Sequence, residues 1–185
     1  MTAPGPLSRH VLRMAQNNRW SNHRLHASCA RLDAAAFRAP RTGFFPSLQA
    51  TLDHILLIDR YYMAALTGSG RSVDVLESWS PRTDAPSLAR EQQASDDDLC
   101  LFCERSSEAD LDQTIVIDRG PGRVDRETVG ATLAHLFAHQ IHHRGQAHAM
   151  LSGTAVSPPQ LDEFFLASDA RLRAPDLEAM GVEER

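Results

Sequence analysis

Ala134-His-Leu-Phe-Ala-His-Gln-Ile-His-His-Arg-Gly-Gln146 is the stretch that decides how this chain is read. Its apolar residues Ala134, Leu136, Phe137, Ala138 and Ile141 suit a helix. Residues four apart on a helix lie one above the other on a single face. His135, His139 and His143 therefore stack, with His142 just beside them. The stretch holds four of the chain's nine histidines. Two imidazoles at i, i+4 can clasp one divalent ion between them. Chance often supplies one such pair, but four histidines in nine positions of an apolar helix point to a metal site.

This helix extends outward from the stretch, from a cap at Thr128 to about Leu151, with Gly153 as its stop. Before it, Thr114–Asp118 and Gly122–Asp125 flank Arg119-Gly-Pro-Gly and read as a hairpin. The first helix is expected from a cap at Ser8 to about Leu32, with Val11, Leu12, Ala15, Trp20, Leu25, Cys29 and Leu32 at helical spacing. A loop over Pro40–Phe45 leads to a second helix from Pro46-Ser47 to about Leu66, closed by Gly68-Ser-Gly70. Residues 71–86 read as a connecting loop in which Trp79 packs down as a lid. A third helix spans roughly Ser87–Ser107, turns Leu88, Leu99, Phe102 and Cys103 inward, and carries Ser95-Asp-Asp-Asp98 as a solvated turn. After Pro158-Pro159 a short helix is expected over Gln160–Ser168, and the charged tail 171–185 reads as loose.

Four long amphipathic helices with one long crossover make an all-α four-helix bundle, with a small hairpin-like insertion before the last long helix and a short C-terminal helix. The 185 residues form a single domain whose core runs over about 8–168. An apolar share of 42% and a charged share of 23% are ordinary for a globular protein. The net charge of −5 offers no basic field for nucleic acid, and the 19 basic residues, all arginine, are scattered. No run approaches a membrane span, and the N-terminus does not resemble a signal peptide. Cys29, Cys100 and Cys103 are odd in number, which argues for a reducing cytoplasm. Cys100 and Cys103 form a CxxC with neither a second pair nor a βαβ context, so they read as two small helix residues.

A metal site needs at least a third protein ligand. His54 is the best candidate, because it lies in the apolar stripe Leu48, Leu52, Ile55, Ile58, Tyr62, where an unpartnered imidazole is costly. On the last long helix, His139 with His143 and His135 with His139 are competing pairs, and His142 is a flanking residue. His10, His23, His26 and His148 read as surface or ordinary helix positions. A three-histidine set with open positions suits zinc, nickel, iron or manganese.

At His139-Gln-Ile-His-His-Arg-Gly-Gln146 the chain resembles the DinB family of metal-binding four-helix bundles. Thr51–Arg60, Asn18-Arg-Trp-Ser-Asn22 and Pro158-Pro-Gln-Leu-Asp162 resemble that family as well, and the likeness runs from about residue 10 to 168. The resemblance implies a metal held by His54, His139 and His143, with Asp59 as a polar residue near it. It also implies kinship with thiol-dependent enzymes, maleylpyruvate isomerases using mycothiol and S-transferases using bacillithiol.

The expected function is that of a metal-dependent enzyme acting on a small-molecule substrate, with a low-molecular-weight thiol as a second cofactor and S-transferase-like chemistry. Hydrolysis by an activated water is the variant chemistry. Arg60 and Arg144 are candidate contacts for carboxylates, although bracing of the helix is the better reading of Arg144. The alternative function is a non-catalytic, metal-stabilised binding or stress-response module, for which His135 as a fourth ligand would argue. A homodimer is expected, with the Trp20 face of the first helix contributing to its surface.

Overall fold

Residues 5–182 are described by a computed structural model of the chain. Four long helices dominate: α1 (Pro6–Cys29), α3 (Leu48–Thr67), α5 (Ala85–Arg105) and α7 (Val129–Ser152). Each of α1 and α3 packs against both α5 and α7, which leaves α1 facing α3 and α5 facing α7 across the diagonals. Short helices α2 (Ala34–Arg38), α4 (Ser72–Glu77) and α6 (Glu108–Leu111) fill the connections. Strands β1 (Thr114–Asp118) and β2 (Val124–Thr128) pair antiparallel, with Thr114 opposite Thr128 and Asp118 opposite Val124. The chain is thus the all-α bundle that its periodicity predicts, with one small hairpin.

Most of the core lies in two apolar clusters, beside a small third one of Trp20, Phe164 and Leu177, and the order of the two along each helix fixes the directions. In α1 and α7 one cluster comes first (Val11 and Ala15; Leu133, Leu136 and Phe137) and the other last (Leu25 and Cys29; Ala147, Met150 and Leu151). In α3 and α5 the order reverses, since Leu52, Ile55 and Leu88 belong to the second cluster and Tyr62, Leu66, Leu99 and Cys103 to the first. So α1 and α7 run one way while α3 and α5 run the other. The neighbours α3 and α5 are parallel and need a long return connection, which is the expected crossover.

Local chemistry accounts for most of the boundaries. Ser47 caps α3 by accepting from Ala50 N, Asp84 caps α5 through Ser87 N, and Thr128 caps α7 through Ala131 N. Gly68 closes α3 at φ +65°, a left-handed turn that costs glycine nothing. At the other end of the chain α1 starts earlier than expected. Gly5 precedes Pro6, whose fixed φ and missing N–H suit the first helical position, so Ser8 lies inside the helix and is buried. The helix also stops at Cys29, short of Leu32.

Several other expectations are corrected. The connection expected over 71–86 contains α4, whereas Trp79 does pack down, half-buried against the second cluster with its Nε1 donating to Asp53 Oδ2 at 2.8 Å. Phe102 faces the core as expected but is only partly buried. Ser95-Asp-Asp-Asp98 is not wholly solvated, since Ser95 and Asp96 are buried. Residues 160–166 form no helix; the last helix is α8 (Ala170–Ala179). That segment is not loose, because Asp176 accepts from Trp20 Nε1 at 3.1 Å and from Arg24 Nε at 2.7 Å. Residues 183–185 of the expected tail lie outside the described residues. Phe164 meets Trp20 at 5.6 Å between ring centroids, so Trp20 is fully buried and cannot contribute to a dimer surface. No described helix is long and apolar enough to cross a membrane.

Candidate metal centre

His54 sits in the second turn of α3, while His139 and His143 are one helical turn apart on α7, which packs along α3. The packing brings the three imidazoles together, with one ring nitrogen of each within 4.8 Å of the others. His54 Nε2 is 3.0 Å from His139 Nε2. Ring centroids stand 4.4 Å apart for His139–His143 and 4.7 Å for His54–His143. An ion about 2.0–2.1 Å from each nitrogen holds the nitrogens roughly 3.0–3.4 Å apart, so small side-chain rotations close the set.

Burial keeps these rings neutral. Desolvation first, then the neighbouring His143, pushes the His54 imidazole down to about 4. Desolvation and the surrounding histidines push His139 down to about 3, and His143 is lowered mainly by burial. Neutral imidazoles are the protonation state that a metal requires. Each also carries one N–H and one lone pair. His143 Nδ1 donates to Gln146 Oε1 at 2.9 Å, and Gln146 Nε2 in turn donates to His142 Nε2 at 3.0 Å. That leaves the lone pair of His143 on Nε2. Between the two facing Nε2 atoms of His54 and His139 only one can donate, and His139 Nδ1 is buried without a partner. The cluster therefore has more inward lone pairs than protons, an imbalance that a shared cation relieves. The donor set fits a divalent transition metal.

Phe45, from the loop before α3, covers the rings at 4.3 Å from His54 and 5.5 Å from His143. His135 stands apart from the triad, at 6.4 Å from His139 and 5.3 Å from Tyr62. His142 is exposed and touches the set only through Gln146 and the His143 ring. Among the described residues, no fourth His, Cys, Asp or Glu converges with the triad.

Next to the triad's helices lies a buried polar layer. Asp59 accepts from Gln140 Nε2 and, at 2.7 Å, from Gln92 Nε2. Asp96 accepts from Asn18 and Asn22 Nδ2, both at 2.9 Å. Arg144 Nη1 donates to Asn18 Oδ1 and, at 3.2 Å, to Asn22 Oδ1. Burial raises both carboxyls above the ordinary range and lowers the Arg144 guanidinium to about 10. The layer thus ties all four long helices together. Arg144 is a buried brace and Asp59 faces the layer, so neither serves a ligand at the triad. Arg60 is engaged by Glu91 at 2.8 Å.

The remaining candidates are also placed. Cys29, Cys100 and Cys103 are buried free thiols pushed up to about 12 by desolvation, which makes them poor nucleophiles. His148 Nε2 meets the carbonyl of Pro159 at 2.9 Å. His26 is not a surface residue: it is 5% exposed, with neither ring nitrogen hydrogen-bonded.

The family model of the DinB family matches residues 7–176, nearly the whole chain. The chain matches no curated protein.

Proposed function

Since the chain belongs to the DinB family, we propose that His54, His139 and His143 hold one divalent ion and leave positions open for the thiol of a small cofactor or substrate. On this reading the protein is a metal-dependent, S-transferase-like enzyme. The observation that carries it is the convergence of three neutral imidazoles on one point without a fourth protein donor among the described residues. Zinc, nickel, iron and manganese all accept such nitrogen ligands. When bound, the ion supplies a Lewis acid that lowers the pKa of a coordinated thiol. The chain's own residues do the rest. Gln146 fixes the His143 tautomer, Phe45 keeps water off one side of the rings, and the polar layer holds α3 and α7 in register. Buried free thiols support a reducing compartment such as the cytoplasm.

Elemental analysis of the purified wild type beside His54→Ala and His139→Ala tests the centre, with circular dichroism reporting the fold. One ion per chain in the wild type and a fully depleted, folded variant are expected. Full occupancy in either variant would remove that histidine from the ligand set. Metal that raises the melting temperature while no thiol perturbs its spectrum would favour the metal-stabilised binding module instead.

A further inference from the structure

A cleft of about 260 Å³ opens beside the triad, and His139 forms part of its wall. The other walls come from α3, with Tyr61 and Tyr62, from His135 on α7, and from the hairpin tip, with Arg119 and Arg123. The tip is a fixed turn: Arg119 N donates to Arg123 O at 2.9 Å and Arg123 N to Gly120 O at 3.0 Å. Gly120 and Gly122 take φ of +101° and +71°, which other residues adopt only with strain. Tyr61 Oη donates to the Asp118 carbonyl at 3.1 Å, which anchors the tip to α3.

The charge at this cleft runs against that of the whole protein. Arg119 is held by Asp125 through Nε and reaches the Tyr62 hydroxyl with Nη2 at 3.4 Å. Arg123 is exposed and makes no ion pair among the described residues. Among the described residues, two guanidiniums and no carboxylate line the cleft, in a chain of net charge −5. Behind the tip, Arg71 engages Asp118 at 2.9 Å and Asp74 at 3.4 Å. His135 adds a polar ring whose other contact is Tyr62. Planar guanidiniums beside two phenols form a site for a carboxylate or similar oxyanion.

Resting on the metal reading above, we propose that this cleft takes a small anionic molecule end-on. Its reacting atom lies at the triad, and its carboxylate lies between Arg123 and Arg119. The hairpin is then the element that selects substrates by charge, and the protein discriminates against neutral analogues of the same length.

The test uses full-length protein loaded with cobalt(II), whose absorption reports ligands at the ion. Two probe pairs are titrated: 3-mercaptopropionate against 3-mercaptopropanol, and glutarate against butyrate. The anionic thiol and the dicarboxylate are each expected to bind roughly tenfold more tightly than their partners, as one charge-assisted contact provides. Arg123→Ala should bring both pairs to parity, and Arg123→Lys should recover part of the preference; an exposed turn residue leaves the fold intact. Parity in the wild type, or a preference that survives Arg123→Ala and Arg119→Ala, overturns the subsite. If cobalt binds but neither thiol produces a charge-transfer band, the thiol reading of the centre fails, while glutarate and butyrate still decide the subsite. If cobalt does not bind, the centre and the subsite fall together.

Discussion

Gln146 decides which nitrogen of His143 faces the other two imidazoles. Its Oε1 takes the Nδ1 proton and so leaves Nε2 free to bind. Partners of this kind set the tautomer and orientation of metal-binding histidines, and losing one typically costs about 10–100-fold in affinity. Gln146→Leu should therefore keep its fold and lose metal affinity by that factor, read by competition with a chromophoric chelator; unchanged affinity would deny Gln146 its orienting role. A histidine pair on one helix face and a third histidine interrupting an apolar stripe are legible in the sequence, whereas the choice of His143 over His135 rests on the family resemblance. The role of Gln146 is not legible there, although it ends the same run of residues. It depends on an amide pointing one way, and spacing does not encode that. The burial of His26 is hidden for a related reason. It is set by partners outside α1, including Ala89 and Met180 on the same cavity wall, and α1 alone carries no trace of them.

At the scale of the helix, the polar layer sets what the bundle tolerates. Asn18 and Asn22, Gln92 and Asp96, and Gln140 and Arg144 are each i, i+4 pairs of buried polar residues, with Asp59 completing the set. That repetition is the signal the sequence offers. The acidic run Ser95–Asp98 hides it, because two of its aspartates, Asp97 and Asp98, are exposed as expected while Asp96 points inward. Removing one member of a buried charge cluster leaves the rest unpaired, at a cost of about 3–5 kcal/mol. Arg144→Met should destabilise by that amount in urea titration, and a change below ~1 kcal/mol would mean the layer is not electrostatically coupled. Gly145, next in the chain, predicts the opposite sign. It is helical, and a Cβ built there meets nothing within 4 Å. Gly145→Ala should therefore stabilise by up to ~1 kcal/mol, visible as a raised melting temperature.

Across the whole molecule, the fold class follows from four periodic segments and their caps, whereas the C-terminal cover does not. Pro158-Pro159 followed by Leu161, Phe164 and Phe165 imitates the start of a helix. The segment instead forms irregular turns that set Phe164 on Trp20, and the helix starts later, at Ala170, with Pro175 inside it. Only the tertiary demand of burying Trp20 distinguishes the two outcomes. One consequence of the final burial pattern can be read as a pH dependence. His26 shares a cavity wall with Arg19, His23, Arg90 and Asp96, and desolvation, aided by His23, pushes its imidazole down to about 4. In the unfolded chain the same ring titrates near 6.5. A lowered folded value means that the unfolded state takes up the proton first as pH falls. The stability that neutral His26 permits is therefore present above pH ~6.5 and is lost as pH drops toward ~4, by up to about 3 kcal/mol. Asp59 and Asp96 act in the opposite sense, because their raised values make stability fall as pH rises. The raw profile consequently mixes both trends, and a comparison with His26→Leu isolates one. The difference in unfolding free energy between wild type and His26→Leu should be flat above about pH 7 and move steadily in favour of the variant between about pH 6.5 and 4. A difference that stays constant over that window would mean that His26 takes up its proton equally readily in the folded and unfolded chains, and so is not desolvated between α1 and α5.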